Sequence, residues 1–102
     1  MAAPKMGPMV AVRCEQAAGG WRCQVEVDAD GRRTAHTVKV AGADLDRWGN
    51  GRPVEELVRR SFDFLLEREP ASSILREFDL AVIQRYFPEF DQRIKPSEAV
   101  KG

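Results

Sequence analysis

Residues 53–69, PVEELVRRSFDFLLERE, decide the fold, because one face of this stretch is apolar and needs something to cover. On a 3.6-residue wheel Val54, Leu57, Val58, Ser61, Phe62, Phe64 and Leu65 fall together, with Leu66 at the margin. Glu56, Arg59, Arg60, Asp63 and Glu67 take the opposite side. The spacing predicts a core-facing amphipathic helix with Pro53 in its first turn, where a missing N–H costs nothing. Glu55 and Glu56 suit the positive end of the helix dipole. Pro70 removes a donor and disfavours helix at Glu69, which closes the other end.

The surface for that helix to cover lies upstream. Val10, Val12 and Cys14 alternate with Ala11, Arg13 and Glu15, and beyond a turn spanning Gln16 to Gly20 the alternation resumes as Trp21, Cys23, Val25 and Val27. Asp30-Gly31 is a two-residue hairpin signal. Centring a second hairpin there sets Val27 opposite Thr34, Val25 opposite His36, Cys23 opposite Val38 and Trp21 opposite Val40. Both hairpins then share one parity. The expected architecture is α+β: a three-stranded antiparallel sheet (β-β-β) covered on one face by the amphipathic helix and short C-terminal helices. Its other face carries Arg13, Glu15, Arg22, Gln24, Glu26, Asp28, Arg33, Thr37 and Lys39, with opposite charges facing each other across the strands.

In the connection from residue 41 to residue 52, Ala43 to Trp48 suit one helical turn stopped by Gly49, with Leu45 and Trp48 reaching the edge of the core. After Pro70, Ser72 and Ser73 are read as capping a short helix over Ile74 to Phe78, and Asp79 as capping another through Phe87. Pro88 ends it, and Phe90 and Ile94 briefly extend the apolar pattern. Residues 9–94 are expected to form one domain between flexible tails at 1–8 and 95–102. The expected core is Val12, Trp21, Cys23, Val25, Val38, Leu57, Val58, Phe62, Leu65, Ile74, Leu75, Phe78 and Ile83.

Composition removes several functions. The 102 residues carry 16 basic and 16 acidic side chains, a balance with no general attraction for nucleic acid or an anionic membrane. The polar sheet face has no aromatic on which a base could stack, which argues against an RNA-recognition platform. No apolar run reaches the roughly 18–20 residues of a membrane span, and the first nine residues contain no apolar signal core. These features lead to the expectation of a cytoplasmic protein. Gly49, Gly51 and Arg52 precede a helix without the spacing of a phosphate loop.

Few side chains are chemically capable. Cys14, Cys23 and His36 share the inward sheet face and are the weak candidates for a metal site; their spacing is not that of a zinc knuckle and a fourth ligand is missing. A cross-strand disulfide is the second alternative for the cysteines, and a pair of buried reduced thiols is the expectation. His36 is read as a partly buried residue near a hairpin end. No second histidine accompanies it, and the serines lack a partner base, so neither catalysis nor a cofactor is expected. The remaining feature is the aromatic group Phe78, Tyr86, Phe87 and Phe90, the candidate interaction residues.

The segment from Glu55 to Phe90, with FLLERE and a following proline, then SIL, FDL, VI and RYFPEF, resembles a family of short uncharacterised bacterial proteins, and more loosely so through the β-rich half. That resemblance implies a recurring domain and no particular reaction. Three antiparallel strands followed by an amphipathic helix are also similar in topology to HicB-type antitoxins, which bind a small toxin and sometimes DNA. Three classes of function follow: a protein-interaction or structural module acting on a protein partner or by self-association, an antitoxin-like or nucleic-acid-associated regulator, and a small-ligand or metal binder. The first is the expectation.

Overall fold

The alternating segments form strands in the expected register. In the computed structural model, which describes residues 9–29 and 31–94, β1 spans Met9–Ala17, β2 Gly20–Ala29 and β3 Arg32–Ala41. The tails expected at 1–8 and 95–102, and Asp30 of the second turn, lie outside the described residues. In the first hairpin Arg13 faces Gln24, Cys14 faces Cys23 and Glu15 faces Arg22. In the second, Val27 faces Thr34, Val25 faces His36, Cys23 faces Val38 and Trp21 faces Val40. The first turn is tighter than expected, with pairing continuing to Ala17 and Gly20. Gly20 also lies so close to β3 that a Cβ there would strike the Val40 carbonyl oxygen. A side chain at that position would force the central strands apart.

The connection folds as α1, Gly42–Gly49, which ends on Asn50 in the left-handed conformation (φ 54°). Trp48 is fully buried and belongs to the core itself, deeper than the core edge expected for it. The helix α2 spans Val54–Leu66 and buries Val54, Leu57, Val58, Ser61, Phe62, Phe64 and Leu65, the face given by the 3.6-residue spacing. Each fully buried Leu, Val or Phe is worth about 1.5–3 kcal/mol. Ser61 fits this apolar face because its hydroxyl donates to the Leu57 carbonyl at 2.7 Å, one turn back. Pro53 is the N-cap, still extended at ψ 151°, one position ahead of the expected one.

The C-terminal third departs from the expected short helices. Ala71–Ser73 make a single 3-10 turn, Ile74 is extended, and Glu77–Asp79 form β4, which pairs parallel to β3. The sheet is therefore four-stranded and mixed, in the order β1-β2-β3-β4, where three antiparallel strands were expected. The α+β class stands. Ser72 and Ser73 can cap a helix over Ile74–Phe78, but the edge of β3 offers better partners for this backbone. Thr37 N–H donates to the Arg76 carbonyl at 2.7 Å and Leu80 N–H to the Lys39 carbonyl at 2.8 Å. The short helices α3, Ala81–Tyr86, and α4, Phe90–Ile94, follow. The N-cap position of α3 is held by Leu80, not Asp79, and no side chain caps the helix there.

Ten of the thirteen expected core residues are buried, and Val27, Val40, Trp48, Val54, Phe64, Leu80, Phe90 and Ile94 join them. Three expectations are corrected. Val12 and Trp21 are half-buried where the helices do not fully cover the sheet, and Leu75 is 51 % exposed because its backbone turned from helix to extended chain.

Candidate interaction groove

Leu75 and Tyr86 stand at the entry to an apolar, concave surface feature. Leu75 lies in the extended approach to β4, between Ile74 and Phe78, which both point into the core. Tyr86 ends α3 and is 69 % exposed. Between these elements and the C-terminal end of α2 runs a cleft of about 420 Å³, floored by Leu65, Phe78 and Ile83 and walled by Leu75, Tyr86 and Phe87. A volume of this size is in the range of small-ligand pockets and accommodates one or two large apolar side chains. Glu69 and Ser73 are its polar lining. Burial pushes the Glu69 carboxyl above the ordinary carboxylate range, since the cleft withdraws water from its charged form.

The groove is held by polar contacts beneath and beside it. His36 is buried, more fully than the partial burial expected. Its Nδ1 lies 2.8 Å from the Leu75 carbonyl, and its Nε2 lies 2.9 Å from Thr34 Oγ1. A carbonyl can only accept, so Nδ1 carries the hydrogen and donates to Leu75; in neutral His36 the Thr34 hydroxyl then donates to Nε2. His36 thus fixes the backbone that presents Leu75. At the far end Arg68 lies 3.7 Å above the centre of the Phe64 ring and donates to Glu89 at 3.1 Å. Its own backbone N–H and then the Arg68 guanidinium hold the Glu89 carboxyl below the usual range. Trp48 Nε1 donates to Asp91 at 2.6 Å, and Gln84 donates to the same carboxylate at 3.3 Å, which ties α1, α3 and α4 together.

The four aromatics singled out in the sequence do not form one patch. Phe78 lines the groove from the core side, while Phe87 is half-buried and Tyr86 exposed along it. Phe90 is withdrawn from the surface altogether: it is fully buried, edge-on to Trp48 at 5.1 Å and to Phe64 at 5.2 Å. Leu75 is the groove residue that sequence reading missed. The signal was present in Glu77-Phe78-Asp79-Leu80, whose alternation of exposed and buried positions has the period of a strand.

The weak metal candidates are otherwise engaged. Cys14 and Cys23, directly opposite with Cα atoms 4.0 Å apart, form a disulfide, where reduced thiols were expected. Both nitrogens of His36 are occupied by hydrogen bonds. Among the described residues no group of three or more His, Cys, Asp or Glu side chains could hold a metal ion. No helix of the described residues is long and apolar enough to cross a membrane. On the polar sheet face Asp28 and Arg33 stand 3.7 Å apart, and Thr37 donates to Gln24 at 3.2 Å. Arg52, beside the glycines that precede α2, pairs with Glu56 at 3.1 Å.

No protein-family model matches the chain, and no curated protein or solved structure does so either.

Proposed function

We propose that this domain is a non-catalytic protein-interaction module that takes an apolar segment of a partner protein into the groove between Leu75 and Tyr86. The observation that carries this reading is the placement of two large exposed apolar side chains on separate elements around one preformed apolar cleft. Tyr at the rim suits the task, since its ring gives contact area and its hydroxyl stays wet. The FLLERE-P-SIL-FDL-VI-RYFPEF segment supplies much of this cleft, so the resemblance to short bacterial proteins would make the groove a shared feature of that family. The expectation of a cytoplasmic setting and the Cys14–Cys23 bond pull in opposite directions, because disulfides persist in oxidising compartments and are rare in the reducing cytosol.

The test is affinity purification of the tagged protein from its own host, with and without nuclease, alongside the double variant Leu75→Asp, Tyr86→Asp. Both positions are exposed, so the variant should keep its fold. A protein bound by the parent after nuclease treatment and lost at least ten-fold by the variant is the expected result. Equal retention by both removes the groove as the binding surface. Partners lost with nuclease favour the antitoxin-like or nucleic-acid-associated reading, and a melting temperature raised by a small molecule would favour the ligand-binding one.

A further inference from the structure

The opposite edge of the sheet carries a second surface, independent of the groove. The strand β1 pairs with β2 on one side through nine uninterrupted positions, and among the described residues no strand pairs with its other side, which is an edge of the sheet. Natural edge strands are usually protected by brevity, a bulge, a proline, charged side chains or an inward-pointing charge. β1 carries charge only at Arg13 and Glu15 of its solvated face: it is nine residues long and regularly paired, contains no proline, and turns Val10, Val12 and Cys14 inward.

The direction of its free backbone groups follows from the turn. A two-residue hairpin loop makes Ala17 and Gly20 a hydrogen-bonded pair, so pairs alternate from there and Cys14 with Cys23 is a non-hydrogen-bonded one. The 4.0 Å Cα separation of the cysteines agrees with this, since non-hydrogen-bonded pairs are the closer kind. Val10, Val12 and Cys14 therefore aim both N–H and C=O away from β2. The same three residues are only half-buried, although they lie on the core side of the sheet.

We infer that β1 is completed by β1 of a second copy of this chain, paired antiparallel about a two-fold axis through Val12. In that register Val12 meets Val12 and Val10 meets Cys14, each pair exchanging two backbone hydrogen bonds, and apolar side chains meet apolar ones. On the solvated face Met9 meets Glu15 and Ala11 meets Arg13, so no like charges face each other. A register centred on Arg13 would oppose two guanidiniums. Glu55, Glu56 and Arg59 of α2 line the cleft beside Val12, so side chains of both signs flank the seam. The sheet then runs continuously through both copies and leaves the two grooves at its outer ends.

Light scattering on the full chain from micromolar to near-millimolar concentration tests this. The expected mass is twice the 11.5 kDa of one chain. Val12→Pro, which removes an outward N–H and no hydrogen bond to β2, should return the mass to that of one chain while retaining circular dichroism and a cooperative melt. A parent that stays monomeric at every concentration overturns the proposal. A dimer that survives in folded Val12→Pro overturns this edge as the interface. Should that variant not fold, amide exchange of the parent decides: protected Val10, Val12 and Cys14 amides are expected at dimer concentrations, and fast exchange there overturns it. The variant Leu75→Asp, Tyr86→Asp is expected to remain dimeric, which separates this test from that of the groove.

Discussion

The hairpins of residues 9–41 and the segment from Pro70 to Phe90 are both short, apolar-rich and punctuated by turns, yet only the first folds as its own pattern dictates. In the hairpins the turn fixes the register and the register fixes the face, so local sequence and final structure agree. In the C-terminal segment the local signals favour helix, and the conformation is decided by the edge of β3, more than thirty residues upstream. The difference is between a structure that neighbours along the chain can specify and one that depends on a distant backbone already in place.

The largest expected effect tests what both regions share. Phe62 is fully buried on α2, 5.3 Å from His36 of the sheet and 6.1 Å from Phe78 of β4. Phe62→Asp would place a carboxylate where both regions converge, at a cost of several kcal/mol against a total stability of about 5–15 kcal/mol. Cooperative unfolding should be abolished. A native-like melting curve for this variant would show that hairpins and C-terminal segment do not depend on a common core.

A smaller effect separates the two regions. His36→Phe keeps a ring against Phe62 but removes the donor to the Leu75 carbonyl and the acceptor for Thr34. Leaving buried polar groups without partners costs about 1–3 kcal/mol. If β4 depends on β3 as the comparison holds, the loss should be local. Amides of Thr37 and Leu80, which bond across β3 and β4, should exchange faster, while β1–β2 amides away from His36 keep their protection. Uniform loss of protection would mean that β4 is part of one cooperative unit with the hairpins.

Legibility in the sequence follows the same division. The face of α2 was readable because seven side chains repeat at one helical period, and no single error of assignment could displace them. The sheet register was readable from Asp30-Gly31 and the parity of valines. Leu75 was harder to read, since Ser72-Ser73 before Ile74 is as good a helix cap as it is a loop, and the strand alternation from Glu77 to Leu80 is only four residues long. The split of the aromatics has a similar cause. Tyr86 and Phe90 lie four apart around a proline, and only packing against Trp48 and Phe64 determines that one is covered and the other left outside. The disulfide sits between these cases: alternation puts both cysteines on the inward face, and the pairing of Cys14 with Cys23 alone does not determine whether their sulfurs are joined.

The smallest effect concerns charge at the two ends of the C-terminal segment, where Glu69 and Glu89 are shifted in opposite directions. Burial raises the folded-state pKa of Glu69, so its charged form is penalised in the fold. That penalty is present above the raised pKa and is relieved as pH falls through it toward the ordinary 4.5. Glu89, held low by its backbone N–H and Arg68, behaves conversely: its contribution is present above 4.5 and is lost as pH falls through the lowered value. Glu69→Gln should therefore stabilise the protein at neutral pH and remove the gain on mild acidification, while leaving the loss at lower pH in place. Glu89→Gln should do the reverse, weakening the protein slightly at neutral pH and flattening the acid limb. Melting temperatures of both variants across pH 3 to 8 check the pair. If Glu69→Gln leaves the profile above pH 4.5 unchanged, the groove does not withdraw water from that carboxylate, and its apolar character is less than its lining residues suggest.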